Sequence, residues 1–296
     1  MNPNSHNLYA GISNAQIAAE KFDLGHGVTL SKTYAHFMAP FLMAFAPAEP
    51  GKPHPAPWKA ASGGLAFDIS AELFIPRQFA LPHWFDRINT VWWLTALMRL
   101  KGAPLVFVPV IASESFATIS SLKHEPYFWP IEIYTRHLIP VLNPGNEISE
   151  DALEWIKENW ISGGKLMNES DDFNLAFQAF DQCIWTGQPA LSLVALWGAL
   201  ERLFSPSPYE LRFRVSAAIA SFLEHPGKER HSLHRKIVKL YDARSKAAHG
   251  SGIDEAKPLF ETYALMKRVL IKLIENGHVP SRGEIEACIF GDATSA

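Results

Sequence analysis

Between residues 172 and 276 the chain carries a succession of apolar stripes at helical spacing, each cut off by proline or glycine. Phe173, Phe177, Phe180 and Ile184 make the first stripe. Leu193, Leu196, Trp197 and Leu200 make the second, ended by Pro206 and Pro208. Residues 213–222 form a third, stopped by Pro226 and Gly227. Leu233, Ile237, Leu240 and Tyr241 form a fourth, ended at Gly250 and Gly252, and Leu259, Tyr263, Met266, Leu270 and Leu273 a fifth, ended at Gly277. Residues at i, i+3 or i+4, and i+7 share one face of an α-helix, so each segment has a single face to bury. Such helices, joined by short loops, satisfy one another as an antiparallel bundle.

The first half follows a different period. Leu65, Phe67, Ile69, Ala71, Leu73 and Ile75 alternate with Asp68, Ser70 and Glu72, the pattern of a half-buried strand. Asp86 predicts an N-cap for a helix reaching about Lys101, with Gly102 as its stop. A short buried strand is expected over 104–111, where Pro109 favours an edge or a bulge, and further short strands over 127–142. A helix from Ser149 to about Trp160 is expected to break at 162–165. Gly163-Gly164-Lys165 resembles a phosphate loop only superficially, because Asn159 replaces the upstream glycine and Leu166 the required Ser or Thr. The expected organisation is therefore an α+β domain over 1–148, a connecting helix and loop over 149–171, an all-α helical bundle over 172–280, and a C-terminal tail over 281–296.

Composition excludes several classes. With 48% hydrophobic and 19% charged residues the chain is globular rather than disordered. Two cysteines, Cys183 and Cys288, cannot build a disulfide framework, and neither has a metal ligand at useful spacing. His231 and His234 lie three apart on one helical face with no third ligand evident, so a solvated or RNA-facing role is favoured over a metal. No signal peptide opens the sequence, and the apolar stretch 37–48 is short for a membrane span and interrupted by Pro40 and Pro47. A cytoplasmic protein without membrane association, metal or cofactor is the expectation. Charge is uneven. Residues 190–276 hold 14 Lys and Arg against 9 Asp and Glu, a net +5 that leaves −8 for the rest of a chain whose total is −3. The stretch 228–246, with 7 basic and 2 acidic residues, accounts for that excess. Arg235, Lys236 and Lys239 there are candidate RNA or phosphate contacts, the alternative being an ordinary solvated helix face.

Near the end of this basic run, Arg244 and His249 are separated by four residues in Tyr-Asp-Ala-Arg-Ser-Lys-Ala-Ala-His-Gly. Arginine offers a permanent forked charge matched to phosphate oxygens, and histidine exchanges a proton near neutral pH. Together with Ala199-Leu200-Glu201-Arg202-Leu203 and Arg212-Phe213-Arg214-Val215-Ser216-Ala217-Ala218, this segment resembles the HEPN domains (higher eukaryote and prokaryote nucleotide-binding), and most of all their Apea-like branch. The likeness covers 190–276. One departure is Ser245, where nucleolytic members usually carry Asn, Asp or His. Residues five apart on a regular helix diverge by about 140°, so Arg244 and His249 converge only if the helix changes path at its end or two copies combine. The resemblance implies the second arrangement, a homodimer whose shared cleft cleaves RNA without metal. In that scheme His249 is the general acid or base, Arg244 steadies the phosphate and Lys246 adds positive field. It also implies a role in defence or stress, with the N-terminal domain as sensor or restraint. The alternative is a non-catalytic module for dimerisation or for nucleotide or RNA binding.

Overall fold

The computed structural model describes residues 7–78, 85–133, 145–204, 211–248 and 256–290. They form a strand-rich unit and a helical unit, each assembled from separated stretches of chain. The first takes Met1–Leu81, Val106–Ile133 and Asn146–Leu153, and the second Pro82–Leu105, Tyr134–Gly145 and Glu154–Ala296. The chain is thus mixed α+β, with an α-helix set between the strands and further α-helices after them.

In the strand-rich unit, β1 (Leu8–Ser13), β3 (Lys21–Gly25), β4 (Val28–Ala44), β5 (Trp58–Ile75), β6 (Phe107–Ala112) and β7 (Phe128–Pro130) form one sheet in the order β3-β4-β5-β1-β6-β7. Every pairing in it is antiparallel. The short strands β2 (Gln16–Ile17) and β8 (Glu147–Ile148) pair separately, in parallel. The alternation read in the sequence is the burial pattern of β5: Ile69, Ala71, Leu73 and Ile75 are all sealed from solvent. Pro109 sits where the β1–β6 register slips, between the Gly11–Val110 and Ser13–Phe107 pairs, so its missing N–H falls in a bulge. Beyond the sheet, β4 and β5 continue as a two-stranded ribbon out to the Ala44–Trp58 pair. There Met38, Phe41, Leu42 and Trp58 are exposed.

Glu72 is a polar residue on the buried end of β5. Its carboxylate lies 2.9 and 3.0 Å from the Ser115 hydroxyl and accepts the Phe116 N–H at 2.6 Å. Burial raises its pKa above the ordinary glutamate value, and these hydrogen bonds offset only part of that effect.

The helical unit holds α1 (Arg87–Lys101), α3 (Asp171–Cys183), α4 (Pro189–Phe204), α5 (Leu211–Leu223), α6 (Lys228–Ala248), α7 (Ala256–Asn276) and α8 (Arg282–Phe290), with most of α2 (Glu150–Glu169). Asp86 caps α1 as expected, accepting the Asn89 N–H at 2.7 Å, and Gly102 closes it by donating to the Met98 carbonyl at 3.1 Å. This helix clusters with the helical unit rather than with the strands around it in sequence. The expected break at 162–165 does not occur, for α2 runs unbroken to Glu169. Gly163 is there for closeness: a Cβ at that position would lie 2.9 Å from the Trp93 ring, closer than real side chains pack. The expected C-terminal tail contains a helix, α8, begun by a capping box in which Ser281 Oγ accepts the Glu284 N–H at 3.3 Å and Glu284 accepts the Ser281 N–H at 2.7 Å.

The stripes of α3, α4 and α7 are core. Phe173, Phe177, Phe180, Leu193, Leu196, Trp197, Leu200, Met266, Leu270 and Leu273 are fully buried. Among them lies an ion pair that no local pattern announces. Arg99 of α1 donates to both carboxylate oxygens of Asp181 of α3 at 2.8 and 3.0 Å, each side chain being 1% exposed. Trp92 Nε1 donates to the same carboxylate at 3.1 Å.

Two outcomes are expected. Asp181→Ala strands a buried guanidinium and should lower the unfolding free energy by about 3–5 kcal/mol, whereas Arg99→Met combined with Asp181→Leu should cost far less; chemical denaturation of the three proteins decides it, and equal losses would remove the ion pair from the argument. For Glu72 the folded pKa stands above the unfolded one, so its contribution is present at low pH and lost as pH rises through the folded pKa. Glu72→Gln lacks that loss. Its stability relative to the parent should therefore climb with rising pH in urea titrations, and a pH-independent difference would contradict the assignment.

Candidate functional site: the end of helix α6

The apolar side of α6 is built by Ile237, Leu240, Tyr241 and Ala247, all buried. The Tyr241 ring meets Trp197 of α4 edge-on, with centroids 5.1 Å apart. That contact brings Glu201, one turn beyond Trp197, under the end of α6. Tyr241 Oη donates to Glu201 Oε1 at 2.8 Å. Arg244, one turn further along α6, reaches the same oxygen with an NH2 nitrogen at 3.5 Å, and its guanidinium lies over the Tyr241 ring at 5.6 Å.

The two interactions with Glu201 differ in weight. A phenol donating to a carboxylate is worth about 1.5–3 kcal/mol when shielded, while a 3.5 Å ion pair with partners 26% and 19% exposed belongs with pairs worth about 1 kcal/mol or less. Tyr241 therefore positions Glu201, and Arg244 is held only loosely. Burial first, and then the hydrogen bond and charge of Glu201, raise the Tyr241 pKa, so the phenol is a donor at neutral pH and not a base. Arg244 Nε is shielded from solvent and makes no hydrogen bond. Ser245 turns its hydroxyl back onto the Tyr241 carbonyl at 3.4 Å.

The remaining candidates lie elsewhere around the helix. Arg235, Lys236, Lys239 and Lys246 are exposed. At about 100° per residue, Lys239 and Lys246 lie about 40° and 20° from Arg235, and Lys236 about 100° away, where it comes within 3.9 Å of Glu261 on α7. Arg244 lies about 180° from Arg235. The basic stripe and the site arginine therefore occupy opposite sides of α6, and the structure does not bring them together. Asp242 is engaged by Arg212 of α5 at 2.6 Å. His249 and the glycines after it lie outside the described residues. Among the described residues no group of three His, Cys, Asp or Glu could hold a metal ion, and no helix is long and apolar enough to cross a membrane.

Sequence reasoning placed Trp197 in an apolar stripe and weighed Glu201 as a partner of Arg244, but did not join the two to Tyr241 as one cluster. The signal was present in their i, i+4 spacing on α4 opposite the i, i+3 pair Tyr241 and Arg244 on α6. Protein-family models, curated proteins and solved structures yield no match to this chain.

Tyr241→Phe removes the donor that holds Glu201 and leaves the Trp197 contact in place. It should destabilise the protein by about 1.5–3 kcal/mol in denaturant titration. Arg244→Met should cost about 1 kcal/mol or less, and the reverse order would mean that the arginine holds the cluster.

Proposed function

We propose that this chain is a HEPN-like, metal-independent endoribonuclease that works as a cytoplasmic homodimer in defence or stress response, with Arg244 and His249 as its reacting pair. The observation that carries the reading is the state of Arg244. It is built into the end of a helix, tied by one long contact to Glu201, and has an Nε without a hydrogen-bond partner. An arginine kept in place but not used up by its protein partner suits an anionic substrate group.

In the proposed reaction the ribose 2′-oxygen attacks the adjacent phosphorus as His249 takes its proton. The bond from phosphorus to the 5′-oxygen breaks, and that oxygen leaves with a proton from the histidine of the other copy. The products are a 2′,3′-cyclic phosphate and a free 5′-hydroxyl. Arg244 stabilises the charge on the phosphoryl oxygens. Two copies supply the pair in this reading, since residues five apart diverge along a regular helix, and the basic stripe of Arg235, Lys239 and Lys246 draws the polyanion to the outer side.

A second reading is favoured by the Arg244–Glu201 contact itself and by Ser245: a non-catalytic dimerisation or RNA-binding module in which the arginine serves the α4–α6 seam.

Incubation of the purified protein with an RNA panel separates the two. The first reading expects cleavage that survives a chelator, products with cyclic phosphate ends, and loss of cleavage in both Arg244→Ala and His249→Ala while light scattering still reports a dimer. Intact RNA across the whole panel, or a monomer in solution, would sink it in favour of the second.

A further inference from the structure

Apart from Arg244, the helical unit offers a feature with no structural use of its own. The periodicity of α5 places Phe213 in its buried stripe, yet the side chain is 63% exposed. Its ring stands edge-on to His234 of α6 at 5.7 Å between centroids and 76° between planes, so it is propped rather than loose. The two rings, with Leu211, Arg212 and Val238, line a groove of about 660 Å³ between α5 and α6. Arg212 is fixed at its rim by Asp242 at 2.6 Å. His234 Nε2 is shut off from solvent and makes no hydrogen bond. Burial and the neighbouring His231 hold the His234 ring below the ordinary histidine range, so it is neutral at pH 7.

We infer that the α5–α6 groove is a nucleobase-stacking subsite for single-stranded RNA, with Phe213 as its platform and Arg212 and Arg235 flanking the sugar-phosphate chain. The inference rests on the RNA reading above and adds to it where a base is held. An exposed, propped aromatic offers the π-face on which an unstacked base settles, and every base has such a face. Arg235 lies about 60° around α6 from Val238, on the side of the basic stripe, so a strand tracking that stripe passes the groove. Arg244 lies six residues beyond Val238, about 9 Å along the axis and about 120° around it, so the subsite and the proposed scissile phosphate do not overlap. Burial keeps the His234 ring behind Phe213 from adding positive charge beside the base.

The test uses the full chain and a short fluorescein-labelled RNA carrying 2′-O-methyl groups, which cannot be cleaved because its nucleophile is blocked. Binding is followed by anisotropy across a salt series. Phe213→Ala should weaken binding by about 5- to 150-fold, the worth of one stacked base, with an unchanged salt slope because no phosphate contact is lost. Phe213→Trp should restore it. Arg235→Glu should flatten the slope instead. RNA binding that is indifferent to Phe213→Ala overturns the subsite and leaves the ribonuclease reading standing. Phe213-dependent binding of RNA that the protein never cleaves supports the subsite and sinks the ribonuclease. Failure to bind RNA, or tighter Phe213-dependent binding of a polyglutamate peptide, overturns the subsite.

Discussion

The helical unit turns on the Arg99–Asp181 pair. Two charges, each 1% exposed, must find one another or remain uncompensated in the interior. The desolvation of both offsets most of their Coulombic attraction, so the pair contributes direction more than net stability. It ties α1 to α3, because Arg99 Nη1 sits between the two carboxylate oxygens of Asp181 with neither side chain open to water. The aromatic surroundings reinforce that tie. Trp92 donates to Asp181, Trp93 packs 4.7 Å from Phe177, and the Phe180 and Tyr263 rings stack at 4.4 Å. Burial raises the Tyr263 phenol well above its ordinary range, which leaves it an apolar ring with a protonated end.

The same logic, on a smaller scale, builds the end of α6. The edge-on contact between Trp197 and Tyr241 sets the seam between α4 and α6, and the phenol then holds Glu201 in place. Arg244 is the third member and the least committed. The helix thereby separates two electrostatic tasks. Its outer side carries cations in open solvent, where they act over a Debye length on any polyanion. Its packed side carries Arg244 in a shielded setting, where a single contact is stronger and more specific.

The strand-rich unit meets its own conflict at Glu72, a carboxylate that strand alternation assigns to the polar face and that is buried all the same. Its position is tolerable because a hydroxyl and a backbone N–H meet it there. The β4–β5 ribbon is supported differently. A two-stranded hairpin is marginal in water, but the base of this one is continuous with β3 on one side and β1 on the other.

Helices, caps and the alternation of β5 were legible in the sequence because they depend on residues within a few positions of one another. Asp86 and Gly102 bounded α1, and the stripes of α3, α4 and α7 became core. The Arg-x-x-x-x-His spacing likewise named a candidate pair, of which the described residues include Arg244. Local rules failed where a distant neighbour outweighed them. Gly163 and Gly164 read as a break, yet the space demanded by Trp93 makes glycine the fitting residue inside a continuous helix. Phe213 read as core, since periodicity tells which residues share a face but not whether another element covers it. Arg99 and Asp181 are 82 positions apart, and Tyr241 and Glu201 are 40. No window of sequence contains either pair. The sequence by itself determined the helices and the reactive residue types they carry. Only the tertiary structure decided that Arg244 points inward to Glu201 while Phe213 points out, because the side of a helix that is buried is chosen by the helices that pack on it.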